Sequence, residues 1–121
     1  MNKISVVIIG ADGSTSNVDV GTSIKELSEA IGAPEAVCVW REDGICAFAD
    51  YDYCTYAPQE DHNAVASAIM SENDSDGINV YGSVLFAADG SDDEPESLTN
   101  EQVIELLNKA EKYMTRTEEL E

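Results

Sequence analysis

Residues 22–34 read TSIKELSEAIGAP, and this stretch decides the fold because it predicts a short helix between two regions typical of β-strands. Ser23 followed by Glu26 forms a capping box at the start of the helix. Gly32 marks its end, and Pro34 prevents its continuation. The apolar positions share one face of the helix: Ile24, Leu27 and Ile31.

Strand patterns lie on both sides of this helix. Residues 4–10, ISVVIIG, are rich in β-branched side chains and predict a strand, and the turn signal ADG follows them. A weaker strand predicted around Asn17–Val20 would complete a hairpin with it. Ala36–Trp40 and Ile45–Ala49 predict two strands around a turn. Residues 78–88, INVYGSVLFAA, alternate as a strand does, with one face formed by Ile78, Val80, Val84 and Phe86.

Two further helices are predicted towards the C-terminus. Residues 62–70, HNAVASAIM, favour a short helix with Asp61 as its N-cap. Thr99 and Gln102 form a second capping box before the last helix, and the chain is expected to fray after Arg116. The last helix has an apolar stripe: Val103, Leu106, Leu107, Ala110, Tyr113 and Met114.

These elements predict an α+β fold. We expect a single, mostly antiparallel sheet of about five strands, with two amphipathic helices packed on one face. The whole of residues 1–116 is predicted to form one domain, followed by a frayed acidic tail at 117–121.

The net charge is the strongest compositional signal. Among 121 residues, 25 acids face six bases, for a formal net charge of −19. Duplex DNA carries one charge per about 1.7 Å, so this charge corresponds to about 32 Å of duplex, and a compact chain of this length is about 35 Å across. Such a charge excludes nucleic acid and anionic membranes as simple partners. It favours a basic partner, or a surface whose acids serve only solvation.

Cysteine usage and the N-terminus indicate a cytoplasmic protein. The sequence has three cysteines, an odd number that argues against a disulfide framework and suits a reducing compartment. Cys38 and Cys46 lie in apolar runs, where cysteine behaves as a small core residue. The apolar run near the N-terminus lacks a small-residue cleavage site and is interpreted as a strand. No apolar run approaches the ~20 residues of a membrane span.

Metal and cofactor motifs are weak. Residues 72–77, ENDSDG, resemble the start of an EF-hand loop, but Ser83 at position 12 cannot supply two oxygens, and a strand follows instead of a helix. The run IIGADGSTS lacks the lysine of a phosphate-binding loop. The single histidine, His62, fits no recurrent zinc spacing with Cys54 and the nearby acids. We therefore expect no metal, no cofactor and no catalysis.

Two acidic stretches are the candidate partner-binding residues. The first, DYDYCTY, offers Asp50, Tyr51, Asp52 and Tyr53, because tyrosines provide contact area and carboxylates can pair with a cationic partner. In an extended chain Asp50, Asp52 and Cys54 would point one way and the tyrosines the other. A purely structural interpretation, tyrosines covering the core edge, stays open.

The second stretch lies before the last helix. Its candidate residues are Asp92, Asp93, Glu94 and Glu96. Glu101 and Glu105 follow in the first turn, where acids stabilise a helix through its dipole and need no partner. That explanation covers Glu101 well but does not extend to the residues before the helix.

The chain resembles a family found mainly in bacteriophages and mobile elements and known as a domain of unknown function. The resemblance rests on the order of residues 22–39, TSIKELSEAIGAPEAVCV, then 62–69, HNAVASAI, then 76–107, which contain the SLT-x-EQ opening of the last helix. Such proteins tend to have arginine after the asparagine, whereas Ala64 follows Asn63 here, so a role of that arginine does not carry over.

The resemblance and the charge together lead to a functional hypothesis. We expect a binding protein, not an enzyme, that inhibits a basic host protein which binds nucleic acid, such as a CRISPR or restriction nuclease, by occupying its basic groove. Two alternatives stay open: a small-molecule-sequestering domain, and a halophile-type protein whose acids serve solubility only. The oligomeric state and the identity of the partner are not specified by the sequence.

Overall fold

The computed structural model describes residues 3–42, 44–54, 61–72, 77–90 and 94–119; at 53–54 and 115–119 it describes the backbone alone. The elements in chain order are β1 (Lys3–Ile9), β2 (Thr15–Gly21), α1 (Ile24–Ile31), β3 (Ala36–Glu42), β4 (Ile45–Asp50), a 3-10 turn (Tyr51–Cys54), α2 (Ala64–Met70), β5 (Val84–Asp89), β6 (Pro95–Glu96) and α3 (Asn100–Glu119).

The strands form one antiparallel sheet in the order β2-β1-β5-β4-β3, with the short β6 paired to the end of β5. β5 is central: Leu85 lies opposite Ile8 of β1 and opposite Phe48 of β4. The first four residues of β5 are all buried, as expected for a strand with neighbours on both sides and layers above and below. The predicted α+β class and mostly antiparallel sheet are confirmed.

The helices cover both faces of the sheet, so the prediction that both amphipathic helices pack on one face was wrong. Leu27 of α1 packs with Val6, Phe48 and Leu85 on one face. On the other face the side chains of α2 and α3 pack against strand residues that include Phe86. The reason is visible in the strands: β1, β4 and β5 have apolar side chains at consecutive positions, which supplies a buried face on each side.

The predicted ends of α1 and α3 are confirmed. The N–H of Glu26 donates to Ser23 Oγ over 3.1 Å, and Gly32 ends α1 with a φ of 68°. At the start of α3, Thr99 N donates to Gln102 Oε1 over 2.8 Å and Gln102 N donates to Thr99 Oγ1 over 3.1 Å. The backbone of α3 stays helical to Glu119, beyond the point where fraying was expected.

Three local predictions differ from the structure. The N-cap of α2 is Asn63 and not Asp61, because the carboxamide oxygen of Asn63 accepts the N–H of Ala66. The strand predicted from Ile78 begins only at Val84, after Gly82 turns the chain with a φ of 74°. Tyr51–Cys54 form a 3-10 turn, so the alternation expected of an extended segment does not apply there.

A side-chain cluster at the end of α2 ties it to α3. Lys109 Nζ lies 2.8 Å from Glu72 Oε1 and 3.2 Å from Glu105 Oε1. The hydroxyl of Tyr113 donates to the other oxygen of Glu72 over 2.5 Å. Partial burial opposes ionisation of Glu72, but the Lys109 and Tyr113 hydrogen bonds outweigh it and hold the pKa of Glu72 below its usual value of 4.5.

The outer strand β2 is open to solvent along most of its length. Its first five residues are exposed, and Asp19 is its only charged side chain. The register with β1 is continuous from Thr15 to Gly21, without a bulge. β2 therefore presents a regular, nearly uncharged edge in a highly charged protein.

We predict that Phe86→Ala lowers the free energy of unfolding by about 3–5 kcal/mol, because Phe86 is fully buried and its ring meets Trp40 edge-on at 6.2 Å. Urea unfolding followed by circular dichroism measures the change. Ile104→Ala is the control: Ile104 is 58% exposed on α3, and its truncation should stay within about 0.5 kcal/mol. Equal losses in both variants would contradict the assigned core.

We predict that the stabilisation from Glu72 depends on pH. Because its pKa is lower in the folded state, Glu72 stabilises the fold above the usual pKa of 4.5, and that contribution disappears as the pH falls through the folded-state value. The difference in unfolding free energy between the wild type and Glu72→Gln should therefore shrink between pH 7 and acidic pH. In a Lys109→Gln background the pH-dependent part should be smaller; a difference constant with pH would contradict the assigned pairing.

Candidate partner-binding site

The first predicted stretch lies where β4 ends. Asp50 is the last residue of β4, and Tyr51 and Asp52 are exposed in the 3-10 turn that follows, whereas only the backbone of Tyr53 is described. Asp50 Oδ1 accepts the N–H of Asp52 over 2.9 Å. The N–H of Tyr51 donates to the carbonyl of Glu35 over 2.8 Å. We call the group formed by Glu35, Asp50, Tyr51 and Asp52 the acidic sheet end.

The second predicted stretch lies at the other end of the sheet. Glu96 pairs with Ala88 on β5, and Ala88 pairs with Ile45 at the start of β4. Because Ile45 and Asp50 lie at opposite ends of the six-residue strand β4, five residue steps or about 16 Å of strand separate the two stretches. Glu94 and Glu96 are exposed there, while Asp92 and Asp93 lie outside the described residues. The described residues of the two acidic stretches therefore do not form one surface.

Helix dipoles distinguish the acids at the two ends. Glu101 lies in the first turn of α3, where a carboxylate stabilises the helix. Glu29 and Glu35 instead lie in and just beyond the last turn of α1, and that turn contains no lysine or arginine. A carboxylate in the last turn, such as that of Glu29, faces the negative end of the helix dipole and does not stabilise the helix, whereas Glu35 lies four residues beyond Ile31. The α1 dipole therefore does not explain Glu29 or Glu35, whereas the carboxylate of Asp50 accepts the N–H of Asp52 at the start of the 3-10 turn and has a local structural role.

A groove of about 400 Å³ opens beside Asp50. Its walls come from β3, β4 and the extended segment before β5, and we call it the side groove. The lining residues are Val39, Ala49, Asp50, Ile78, Asn79, Val80 and Tyr81. The side groove thus combines apolar walls with one carboxylate, one carboxamide and one aromatic ring.

The segment 77–82, which forms one wall of the side groove, is held by α2 through three polar side chains. Asn63, Ser67 and Ser71 recur every four residues along the helix, and we call them the polar ladder. Ser67 Oγ accepts the N–H of Val80 over 3.0 Å, and Ser71 Oγ accepts that of Ile78 over 2.6 Å.

Asn63 completes the polar ladder. Its N–H donates to the carbonyl of Val80 over 2.9 Å, and its Nδ2 donates to the carbonyls of Gly82 and Ile9, each over 2.9 Å. Helix side chains thereby satisfy backbone groups that a neighbouring strand would otherwise satisfy.

The polar ladder determines which side chains border the groove. Ile78 and Val80 pack into the core, so Asn79 and Tyr81, between and after them, remain towards the surface. His62 supports both: its Nε2 lies 3.1 Å from Asn79 Oδ1, and its ring lies 5.3 Å from the Tyr81 ring. Asn79 and Tyr81, which form the polar wall of the groove, are therefore held in place by His62.

The role of His62 is structural in this arrangement. Ser67 Oγ lies 3.4 Å from His62 Nε2, but it already accepts the N–H of Val80 and is buried, so it is not placed as a nucleophile. Within the described ranges, no three His, Cys, Asp or Glu side chains are grouped to hold a metal ion. Most of the acidic loop at 72–77 and the side chain of Cys54 lie outside those ranges.

The Cys46 thiol is also structural. Burial raises its pKa to about 12, with a smaller contribution from Cys38 on the neighbouring strand. A thiol with this pKa is a poor nucleophile at neutral pH, which agrees with its predicted place in the core.

The sequence interpretation missed Asn79, Tyr81 and the polar ladder. The strand predicted over residues 78–88 gave no role to Asn79 or Tyr81. The signal that could have identified the polar ladder is the spacing of Asn63, Ser67 and Ser71 in an otherwise apolar helix, since polar side chains four residues apart lie on one face.

Comparisons with known proteins return no relative: no protein-family model, no curated protein and no solved structure matches the chain. The resemblance to a phage and mobile-element family therefore stays a prediction. Among the helices in the described part of the chain, none is long and apolar enough to cross a membrane.

We predict that Asn63→Ala lowers the free energy of unfolding by about 3 kcal/mol, combining the loss of a helix cap with two carbonyls left without their donor. Thermal and urea unfolding measure the loss. Asn108→Ala, at an exposed position of α3, is the matched control and should change stability by at most about 0.5 kcal/mol. If both variants unfold alike, Asn63 does not hold these segments together.

Proposed function

We propose that this protein binds a basic partner protein through the acidic sheet end and thereby occupies the partner's nucleic-acid site. The observation that carries the proposal is the placement of Glu35, Asp50 and Asp52 around the exposed Tyr51. Tyr51 is 50% exposed, which leaves part of its side chain available as a contact surface next to these acidic residues. Aromatic anchors beside charged groups are typical of protein interfaces.

The electrostatics support an attraction to basic surfaces. The net charge of −19 steers cationic partners at long range, and the acidic sheet end adds a local target. The carboxylates of Glu35 and Asp52 are exposed beside Tyr51, and the carboxylate of Asp50 is held there by the N–H of Asp52. We infer that this group serves binding in addition to solvation.

The narrower form of the proposal concerns the class of partner. A surface with a charge per unit length comparable to DNA competes best with nucleic acid for a basic groove. The resemblance to phage and mobile-element proteins supports a partner among host nucleases, including CRISPR and restriction enzymes. In this form the protein is a counter-defence inhibitor and has no catalytic step.

The first test is a tagged pull-down from bacterial lysate, washed at low and at moderate salt, with bound proteins identified by mass spectrometry. The proposal expects a nucleic-acid-binding protein that is lost as salt rises and displaced by duplex DNA. A partner that stays bound in the presence of competing duplex DNA would contradict the proposal. So would a pull-down that recovers no nucleic-acid-binding protein.

We predict that neutralising the acidic sheet end weakens binding to that partner more than the same charge change elsewhere. Asp50→Asn with Asp52→Asn should reduce affinity by about 1 kcal/mol, or about fivefold, as expected for two exposed ion pairs. Glu94→Gln with Glu96→Gln removes the same charge at the opposite sheet end. Isothermal titration calorimetry at several salt concentrations measures both. Equal losses would show that total charge, and not this site, determines binding.

A further inference from the structure

We propose that the side groove is the receptor for an arginine side chain of the basic partner. This inference rests on the proposed function, because it assigns one contact within the same interface. Asp50 belongs both to the acidic sheet end and to the lining of the groove. A partner docked on the exposed turn therefore lies directly beside the groove.

The lining matches the parts of an arginine side chain. Val39, Ala49 and Ile78 form apolar walls that suit the three methylene groups. Asp50 supplies a carboxylate that a guanidinium can engage through two parallel N–H donors. Tyr81 contributes an aromatic ring at the border, and guanidinium groups pack favourably on such rings.

The groove is also organised before any ligand enters. The carboxylate of Asp50 is oriented by the N–H of Asp52, and the backbone beside Asn79 is anchored to Ser67 and Ser71. His62 contacts both Asn79 and Tyr81. Because these groups are already held, binding a side chain requires little ordering of the protein, which raises affinity.

Other ligand classes fit less well. The carboxylate and the overall charge disfavour anions. A divalent cation needs several oxygen ligands together, and the described residues contain no such group. A lysine ammonium can reach the carboxylate but lacks the planar, two-donor geometry. The combination of stem, carboxylate and ring therefore favours arginine.

The test is an NMR titration of the ¹⁵N-labelled full chain with argininamide, compared with lysinamide at the same ionic strength. We expect saturable shifts at the amides of Val39, Asn79 and Tyr81, with a dissociation constant on the order of 1–10 mM for so small a ligand. Lysinamide should bind at least about threefold more weakly.

Asp50→Asn should weaken argininamide binding at least about tenfold, because it removes the charge while its side-chain oxygen can still accept the Asp52 N–H. Asp19→Asn is the matched control. It makes the same chemical change on β2, three strand spacings or about 14 Å from β4, and should bind as the wild type does. Unchanged fold is verified from the spectra of the free variants.

Shifts spread over many acidic residues, equal effects of the two amides, or unaltered binding to Asp50→Asn would overturn the inference. The proposed function fails separately, through the pull-down. A groove that binds argininamide in a protein that captures no nucleic-acid-binding partner would refute the function and retain the site. A DNA-competed partner whose affinity falls in the Asp50→Asn, Asp52→Asn double variant, for a protein whose side groove does not bind argininamide, would do the reverse.

Discussion

The buried carboxamide of Asn63 is the interaction on which the arrangement of this protein depends. With no exposed surface, it joins the end of β1, the segment before β5 and the first turn of α2 through hydrogen bonds to Ile9, Gly82 and Ala66. A buried amide without partners would be costly, so alternative placements of α2 that break these bonds are disfavoured. Among the described residues, no buried side-chain nitrogen or oxygen lacks a partner.

The buried apolar side chains of this protein lie in two layers, and the acidic side chains lie outside them. The sheet and three helices provide two apolar layers that bury the central strand β5 on both faces. The acids stay outside these layers and can be distributed by function instead of by packing. Glu29, in the last turn of α1, faces the negative end of that helix dipole, whereas Glu101 works with the dipole of α3. The same residue type thus has opposite energetic roles at the two helix ends.

The fold was predictable wherever local patterns decide the structure. The caps at Ser23 and Thr99 and the left-handed Gly32 depend on neighbouring residues only, and the sequence identified all three. The α+β class followed from the order of strand and helix patterns. The placement of α1 and α3 on opposite faces was missed, although consecutive buried residues such as Val6 and Val7 indicate a sheet covered on both sides.

The candidate site was predictable only in part, for a physical reason. Asp50, Tyr51 and Asp52 were proposed from the local run DYDYCTY, because tyrosines provide contact area and carboxylates can pair with a cationic partner. The side groove depends on contacts between residues far apart in the chain, such as Asn63 with Ile9 and Ser71 with Ile78. The separation of the two acidic stretches depends on strand order, which local patterns do not specify. The side groove and the separation of the two acidic stretches therefore arise from tertiary contacts, which local sequence patterns do not specify.

The exposed edge of β2 gives the net charge a protective role. Sheet edges invite pairing with other chains, and proteins usually block them with lysines, prolines or bulges. β2 has a regular register and a single charge, so its protection comes from mutual repulsion between whole molecules. That repulsion is screened over about 10 Å at 0.1 M salt and about 3 Å at 1 M. The colloidal stability of this protein therefore depends on the ionic strength around it. Concentrated salt weakens the repulsion that keeps the β2 edges of neighbouring molecules apart.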